Sequence, residues 1–291
     1  MNRLTILDGG MGTLLQARGL RSGEVPEDWN VERPEDVMEI HRAYLAAGSD
    51  VVYANTFGAN GLKYHGRHAL EEVVRAGIAN AVRAADAAAA ETGRRARVAL
   101  DLGPTGRLLK PAGDLSFDDA VAAFAETVRL ALGFSPTAVD GNRWQSTAID
   151  GSRQQSANNR TISQSEQSNN SHPDLVVIET MGDVRELKAA VIAAKENCSL
   201  PVYATVSLGE DGKLLTGGSV ECVATLLESL GVDAYGFNCG LGPDRMLPHV
   251  ERLATVSTKP IIVKPNAGLP TLVGGRTVFS FGPDEFAGHV A

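Results

Sequence analysis

Cysteine is scarce in this chain: Cys198, Cys222 and Cys239 are the only three in 291 residues. So few thiols make no disulfide framework, and they fit a reducing cytoplasm. Concentrated positive charge is missing too. The 27 lysines and arginines face 35 acidic residues, a formal net charge of −8, which argues against nucleic acid and anionic membranes as partners. No apolar run reaches the roughly 20 residues that a bilayer span needs. The stretch Met1–Asp8 lacks the long apolar core of a secretory signal, so the sequon Asn159-Arg160-Thr161 carries little weight. The first glycine-rich turn does not have the Gly-x-Gly-x-x-Gly spacing of a dinucleotide site.

What is present is a repeating order of apolar strand and amphipathic helix. Hydrophobic residues make up 43% of the chain, enough for a large core. Leu4–Leu7 reads as a first strand, closed by the turn Asp8–Thr13. In Pro34–Ala47, Val37, Ile40, His41, Tyr44 and Leu45 form one helical stripe that Gly48 ends. Further strands are expected at Asp50–Thr56, Arg97–Leu102, Asp174–Thr180, Pro201–Ser207, Ala234–Cys239 and Pro260–Asn266. Helices are expected over Leu70–Thr92, from the N-cap Ser116 to about Leu132, around Val184–Ala194, Cys222–Leu227 and Met246–Leu253, and from Glu285. Cys222 is expected as a core thiol and Cys198 as an inert thiol at a helix end.

Near-continuous apolar strands alternating with helices mark a parallel sheet covered by helices. A doubly wound sheet and a barrel both fit. Seven strands and a terminal helix favour a TIM (β/α)8 barrel truncated before its eighth strand, occupying 1–291 as one domain. The pattern breaks over about 134–173, where more than half of Asn142–Ser171 is Ser, Asn or Gln. Such a stretch buries too little apolar surface to offset its ordering entropy. It reads as a disordered insertion, with a reading-frame artefact as the rival.

Strand ends collect the candidate site residues: Asp8, Asn55, Asp101, Glu179, Cys239 and Asn266. In a barrel they share the C-terminal rim, where chemistry is done. Asp101 is expected to be a turn former or cap. Asp8 and Glu179 beside a soft thiol and the glycine amides suit a zwitterionic amino acid, with carboxylates for its ammonium and amides for its carboxylate. Lys264 is a rim lysine of the kind an aldolase uses, though alternation could equally turn it away.

Five segments also resemble the homocysteine S-methyltransferase family: Ile6-Leu7-Asp8-Gly9-Gly10-Met11-Gly12-Thr13, Ala54-Asn55-Thr56-Phe57-Gly58-Ala59, Val177-Ile178-Glu179-Thr180, Phe237-Asn238-Cys239-Gly240-Leu241-Gly242-Pro243 and Lys264-Pro265-Asn266-Ala267-Gly268. The Asn-Cys-Gly-Leu-Gly-Pro and Pro-Asn-Ala-Gly forms are most similar to the N-terminal homocysteine module of cobalamin-dependent methionine synthases. The resemblance implies a zinc (β/α)8 barrel that moves a methyl group onto a zinc-activated homocysteine thiolate to give methionine. It implies Cys239 as a zinc ligand, Asp8, Glu179 and Asn266 around the substrate ammonium, and Gly9 and Gly10 against its carboxylate. Methylcobalamin is the implied methyl donor, with cobalamin- and folate-binding modules as partners outside these residues. The family's remaining two zinc ligands come from a Gly-Gly-Cys-Cys segment at an eighth strand, and this sequence reaches Ala291 without it. A metal-free module that only binds homocysteine is therefore the alternative expectation.

Overall fold

A computed structural model describes residues 4–134, 171–268, 271–273 and 276–290, with side chains left out over 269–278. The low-complexity segment lies outside these residues save at its edges.

Six strands form one parallel sheet: β1 (Val51–Tyr53), β2 (Arg97–Leu102), β3 (Leu175–Met181), β4 (Val202–Val206), β5 (Ala234–Asn238) and β6 (Ile261–Lys264). Their order in the sheet is their order in the sequence. A doubly wound sheet reverses its order at a switch point; this one does not, so every right-handed crossover puts its helix on the same face. The sheet curls over its other face. The Lys264 ammonium on β6 lies 3.8 Å from the ring centre of Tyr53 on β1, so the first and last strands reach one another. The result is an α/β half-barrel.

The strand expected over 4–7 is reduced to a parallel bridge between Leu7 and Val51, extended by the Asp8 N–H donating to the Val51 carbonyl at 3.0 Å. The chain around Leu4 and Ile6 is exposed, and a strand without an apolar partner surface has little to hold it. The turn at its end is shorter than expected, because helix α1 (Met11–Ala17) starts within it. After β6 an antiparallel pair, β7 (Thr271–Val273) and β8 (Arg276–Val278), appears where no strand was expected.

Apart from a short helix at Trp29–Glu32 that was not expected, the helical layer follows the sequence closely. It comprises α2 (Trp29–Glu32), α3 (Pro34–Ala46), α4 (Leu70–Thr92), α5 (Phe117–Ala131), α6 (Val184–Asn197), α7 (Val220–Ser229), α8 (Pro243–Ala254) and α9 (Pro283–Val290). Ser116 caps α5, accepting from the Asp119 N–H at 3.1 Å, as Asp183 and Ser219 cap α6 and α7. Cys222 corrects its expectation: it is exposed on the first turn of α7, while Val223 and Leu227 turn inward. Cys198 closes α6, its thiol 3.3 Å from the Ala194 carbonyl.

Period-two alternation sorts the strands into two faces. Val98, Leu100, Val176, Ile178, Val202, Ala204, Tyr235 and Phe237 belong to the large core beneath the helices. Val51, Tyr53, Ala99, Leu175 and Val177 form a smaller cluster on the concave side. Continuing that inner parity to the carboxyl ends of the strands gives Asp101, Glu179, Thr205, Asn238 and Lys264.

Candidate functional site

Of those inner-face residues, Asp101, Glu179, Asn238 and Lys264 line a cavity of about 370 Å³ at the C-terminal ends of the strands, with Asp8, Gly9, Gly10, Asn55, Cys239 and Asn266 around it. Every site residue expected from the sequence therefore lies on one cavity. Lys264, whose orientation was left open, points inward, and Asp101, expected as a turn former or cap, is part of the wall.

Lys264 is the charge centre. Its ammonium is 3.3 Å from Glu179 Oε2 and 3.6 Å from Asp8 Oδ1, over the Tyr53 ring. Burial works against the charge on Lys264, but Glu179 first, then Tyr53 and Asp8, more than offset it and hold the amine above the usual lysine range. The signal for its orientation was the register. Lys264 pairs with Asn238 across β5 and β6, and Asn238 shares the inward parity.

Asp8 is buried at the end of the bridge segment, where the Tyr53 N–H donates to its Oδ2 at 2.7 Å. Its Oδ1 has no hydrogen-bond partner. Burial pushes its carboxyl up to about 7, against the pull of Lys264. Asp101 does not cap a helix or make a turn, which corrects the expectation. It sits on β2, buried, with Oδ1 unpartnered. Burial, with the Glu179 charge adding to it, raises its carboxyl well above the ordinary range. Thr56 pins the backbone here: its hydroxyl donates to the Asp101 carbonyl at 2.9 Å and accepts from the Asp101 N–H at 3.1 Å.

Asn238 organises the thiol. Its Oδ1 accepts from the Thr180 N–H and the Thr205 hydroxyl, both at 2.8 Å. Its amide nitrogen lies 2.8 Å from Thr180 Oγ1, 3.3 Å from Glu179 Oε2 and 3.4 Å from Cys239 Sγ. Thr180 and Cys239 have φ of 61° and 57°. Left-handed backbone costs a non-glycine residue on the order of 1–3 kcal/mol and gathers at functional sites. Here it occurs at two residues whose side chains meet, Thr180 Oγ1 standing 3.8 Å from Cys239 Sγ. Burial raises the Cys239 thiol, and Glu179 adds to the rise, so the free side chain stays protonated at neutral pH.

Gly9 and Gly10, also in the cavity lining, pack against Tyr44, whose hydroxyl donates to the Gly10 carbonyl at 3.1 Å. A Cβ on Gly9 would lie 2.7 Å from that hydroxyl oxygen, so the close approach requires glycine. Asn55, buried, donates to the Pro26 carbonyl and to Asn30 Oδ1, both at 2.9 Å. Its amide is thus committed to the wall.

The donor set around Cys239 does not fit a zinc ion. Catalytic zinc takes three protein ligands. Among the described residues no group of three or more His, Cys, Asp or Glu is placed to hold a metal, and Cys198 and Cys222 belong to α6 and α7.

An α/β half-barrel with a thiol, buried carboxylates and a lysine at the C-terminal rim is the architecture of an enzyme domain that handles a small polar molecule. The homocysteine S-methyltransferase family model matches residues 5–291, and the chain belongs to that family. It is 31% identical over 306 aligned residues to a methionine synthase of Mycobacterium tuberculosis and 30% identical to that of Mycobacterium leprae. Each alignment covers 99% of this chain but only 22% of the relative, so the chain spans about a fifth of their length. In fold it is similar to the homocysteine methyltransferase MmuM from Escherichia coli. The metallated form matches with a TM-score of 0.69 at 20% identity, over 92% of this chain and 85% of that one. The oxidized form matches at 0.70, also at 20% identity, over 90% and 82%.

Proposed function

We propose that this chain is the homocysteine-binding part of a methionine synthase, receiving a methyl group on the substrate sulfur. The observation that carries the reading is the polarity of the cavity. Buried carboxyl groups with unpartnered oxygens, the Gly9-Gly10 backbone and the Cys239 thiol all line it. A zwitterion with a thiol tail matches that arrangement: ammonium toward Asp8 and Glu179, carboxylate toward Gly9 and Gly10, sulfur toward Cys239, with Asn266 at the rim. Family membership and the two mycobacterial relatives support the same substrate.

In this reading Cys239 is the one ligand these residues would supply to a zinc ion, which in a complete site would activate the substrate thiol. One thiol is not a catalytic zinc site, so the residues here support binding and orientation of homocysteine and no step through the metal. Methylcobalamin as donor, cobalamin- and folate-binding partner modules, closure of the half-barrel by further strands and a cytoplasmic setting belong to the same proposal. No described helix is long and apolar enough to cross a membrane.

The lone thiol favours a second reading, a module that binds homocysteine without metal. Titration calorimetry with L-homocysteine, with and without a chelator, separates the two. Binding that needs zinc supports the methyltransferase reading, and chelator-resistant binding supports the second. No binding in either condition overturns both.

A further inference from the structure

We propose that Asp101 is a substrate-binding residue, its free Oδ1 acting with Asp8 Oδ1 as the acceptor pair for the α-ammonium of the amino acid. This rests on the amino-acid reading above and gives a role to a rim residue that the sequence had marked only as a turn former or cap.

Both oxygens are buried, both lack a hydrogen-bond partner, and both residues line the cavity. An orphaned carboxylate oxygen is costly, and folded proteins retain such groups where a ligand completes them. Lys264 does not complete them. Its ammonium leans on the Tyr53 ring and on Glu179 at 3.3 Å, leaving Asp8 Oδ1 at 3.6 Å, beyond hydrogen-bond distance. Asp101 lies within electrostatic reach of Asp8, Glu179 and Lys264. Three carboxyl groups therefore lie near a single lysine that pairs with only two of them, and a second monovalent cation would favour the ionised form of the buried pair. An α-ammonium carries that single charge and three donors to spend on two open oxygens. Thr56 holds the Asp101 backbone through both its carbonyl and its N–H, so the residue's place on the cavity wall is set before the ligand arrives.

The test compares two ligands on the full chain: L-homocysteine, and 4-mercaptobutanoate, which is the same molecule without the amino group. The native chain prefers homocysteine. Asp101→Asn shrinks that preference by about ten-fold or more, the scale of one lost hydrogen bond to a charged group, and leaves 4-mercaptobutanoate affinity unchanged. Asp101→Ser gives the same result, and a thermal melt verifies that each variant is folded. A preference left intact in the folded variants overturns the role of Asp101 while the amino-acid reading stands. Equal or absent binding of both ligands by the native chain overturns that reading, and this inference with it. A merely structural Asp101 would weaken both ligands alike.

Discussion

At the scale of single residues, two buried titratable groups give stability opposite dependences on pH. The folded state holds the Asp8 carboxyl at about 7, against an ordinary 3.8. Between those values the folded chain keeps a proton that the unfolded chain releases, so this contribution falls as pH rises from about 4 to 7. Asp8→Asn should remove it, a change on the order of 4 kcal/mol across that window. His41 on α3 runs the other way. It is fully buried with both ring nitrogens unpartnered, and burial lowers its pKa from 6.5 to about 4. The unfolded chain binds a proton there that the folded chain refuses, so stability is lost as pH falls from about 6.5 to 4. His41→Leu should recover on the order of 3 kcal/mol at the acid end. Urea melts of the two single variants from pH 4 to 8 separate the slopes, and parallel curves for variants and native chain would contradict the assignment. The cost at both residues arises from burial without a partner. Asp8 lines the cavity, where the proposed ammonium would partner it, whereas His41 does not line it.

At the scale of elements, the pairing of β5 with β6 decides whether a site exists. Cys239 follows β5 directly, and Lys264 ends β6. Gly236, opposite Ile262, has no room for a side chain: a Cβ there would lie 1.9 Å from the Ile262 carbonyl oxygen. Gly236→Ala must push the two backbones apart, and a loss of about 1–3 kcal/mol is expected, with the thiol and the lysine separating together. Lys264→Met probes the other end of the same strand. It leaves Asp8, Asp101 and Glu179 facing one another without their cation. Breaking a buried ion cluster from one side costs about 3–5 kcal/mol, to be read as a lower denaturation midpoint at pH 8. An unchanged midpoint would mean that solvent already screens the cluster. These strands were legible because their apolar runs are bounded by glycine and proline, and the caps at Ser116 and Asp183 mark helix starts. The turn of Lys264 was not legible, because alternation needs a register and a short strand offers none by itself. Asp101 was misread for a related reason: a carboxylate at a strand end looks the same in sequence whether it caps a turn or faces a cavity. The pair β7 and β8 could have been anticipated from the Gly274-Gly275 dipeptide between two triplets rich in β-branched residues, Thr271-Leu272-Val273 and Arg276-Thr277-Val278, a hairpin signal.

At the scale of the whole molecule, a sheet in sequence order curls until its last strand touches its first, and that curl gathers residues from position 8 to position 266 around one cavity. Composition and alternation carried the α/β class and the rim. The choice between an open and a curled sheet required the strand order, which no single segment encodes. The central claim concerns how a small molecule lies in that cavity, sulfur by Cys239 and ammonium among the acids. The most direct measurement is a crystal soaked with L-selenohomocysteine, with the selenium located by its anomalous signal. The account predicts selenium beside Cys239 Sγ and the ligand nitrogen between Asp8 and Asp101. Selenium against Gly9 and Gly10, or ligand nitrogen remote from the carboxylates, would contradict it.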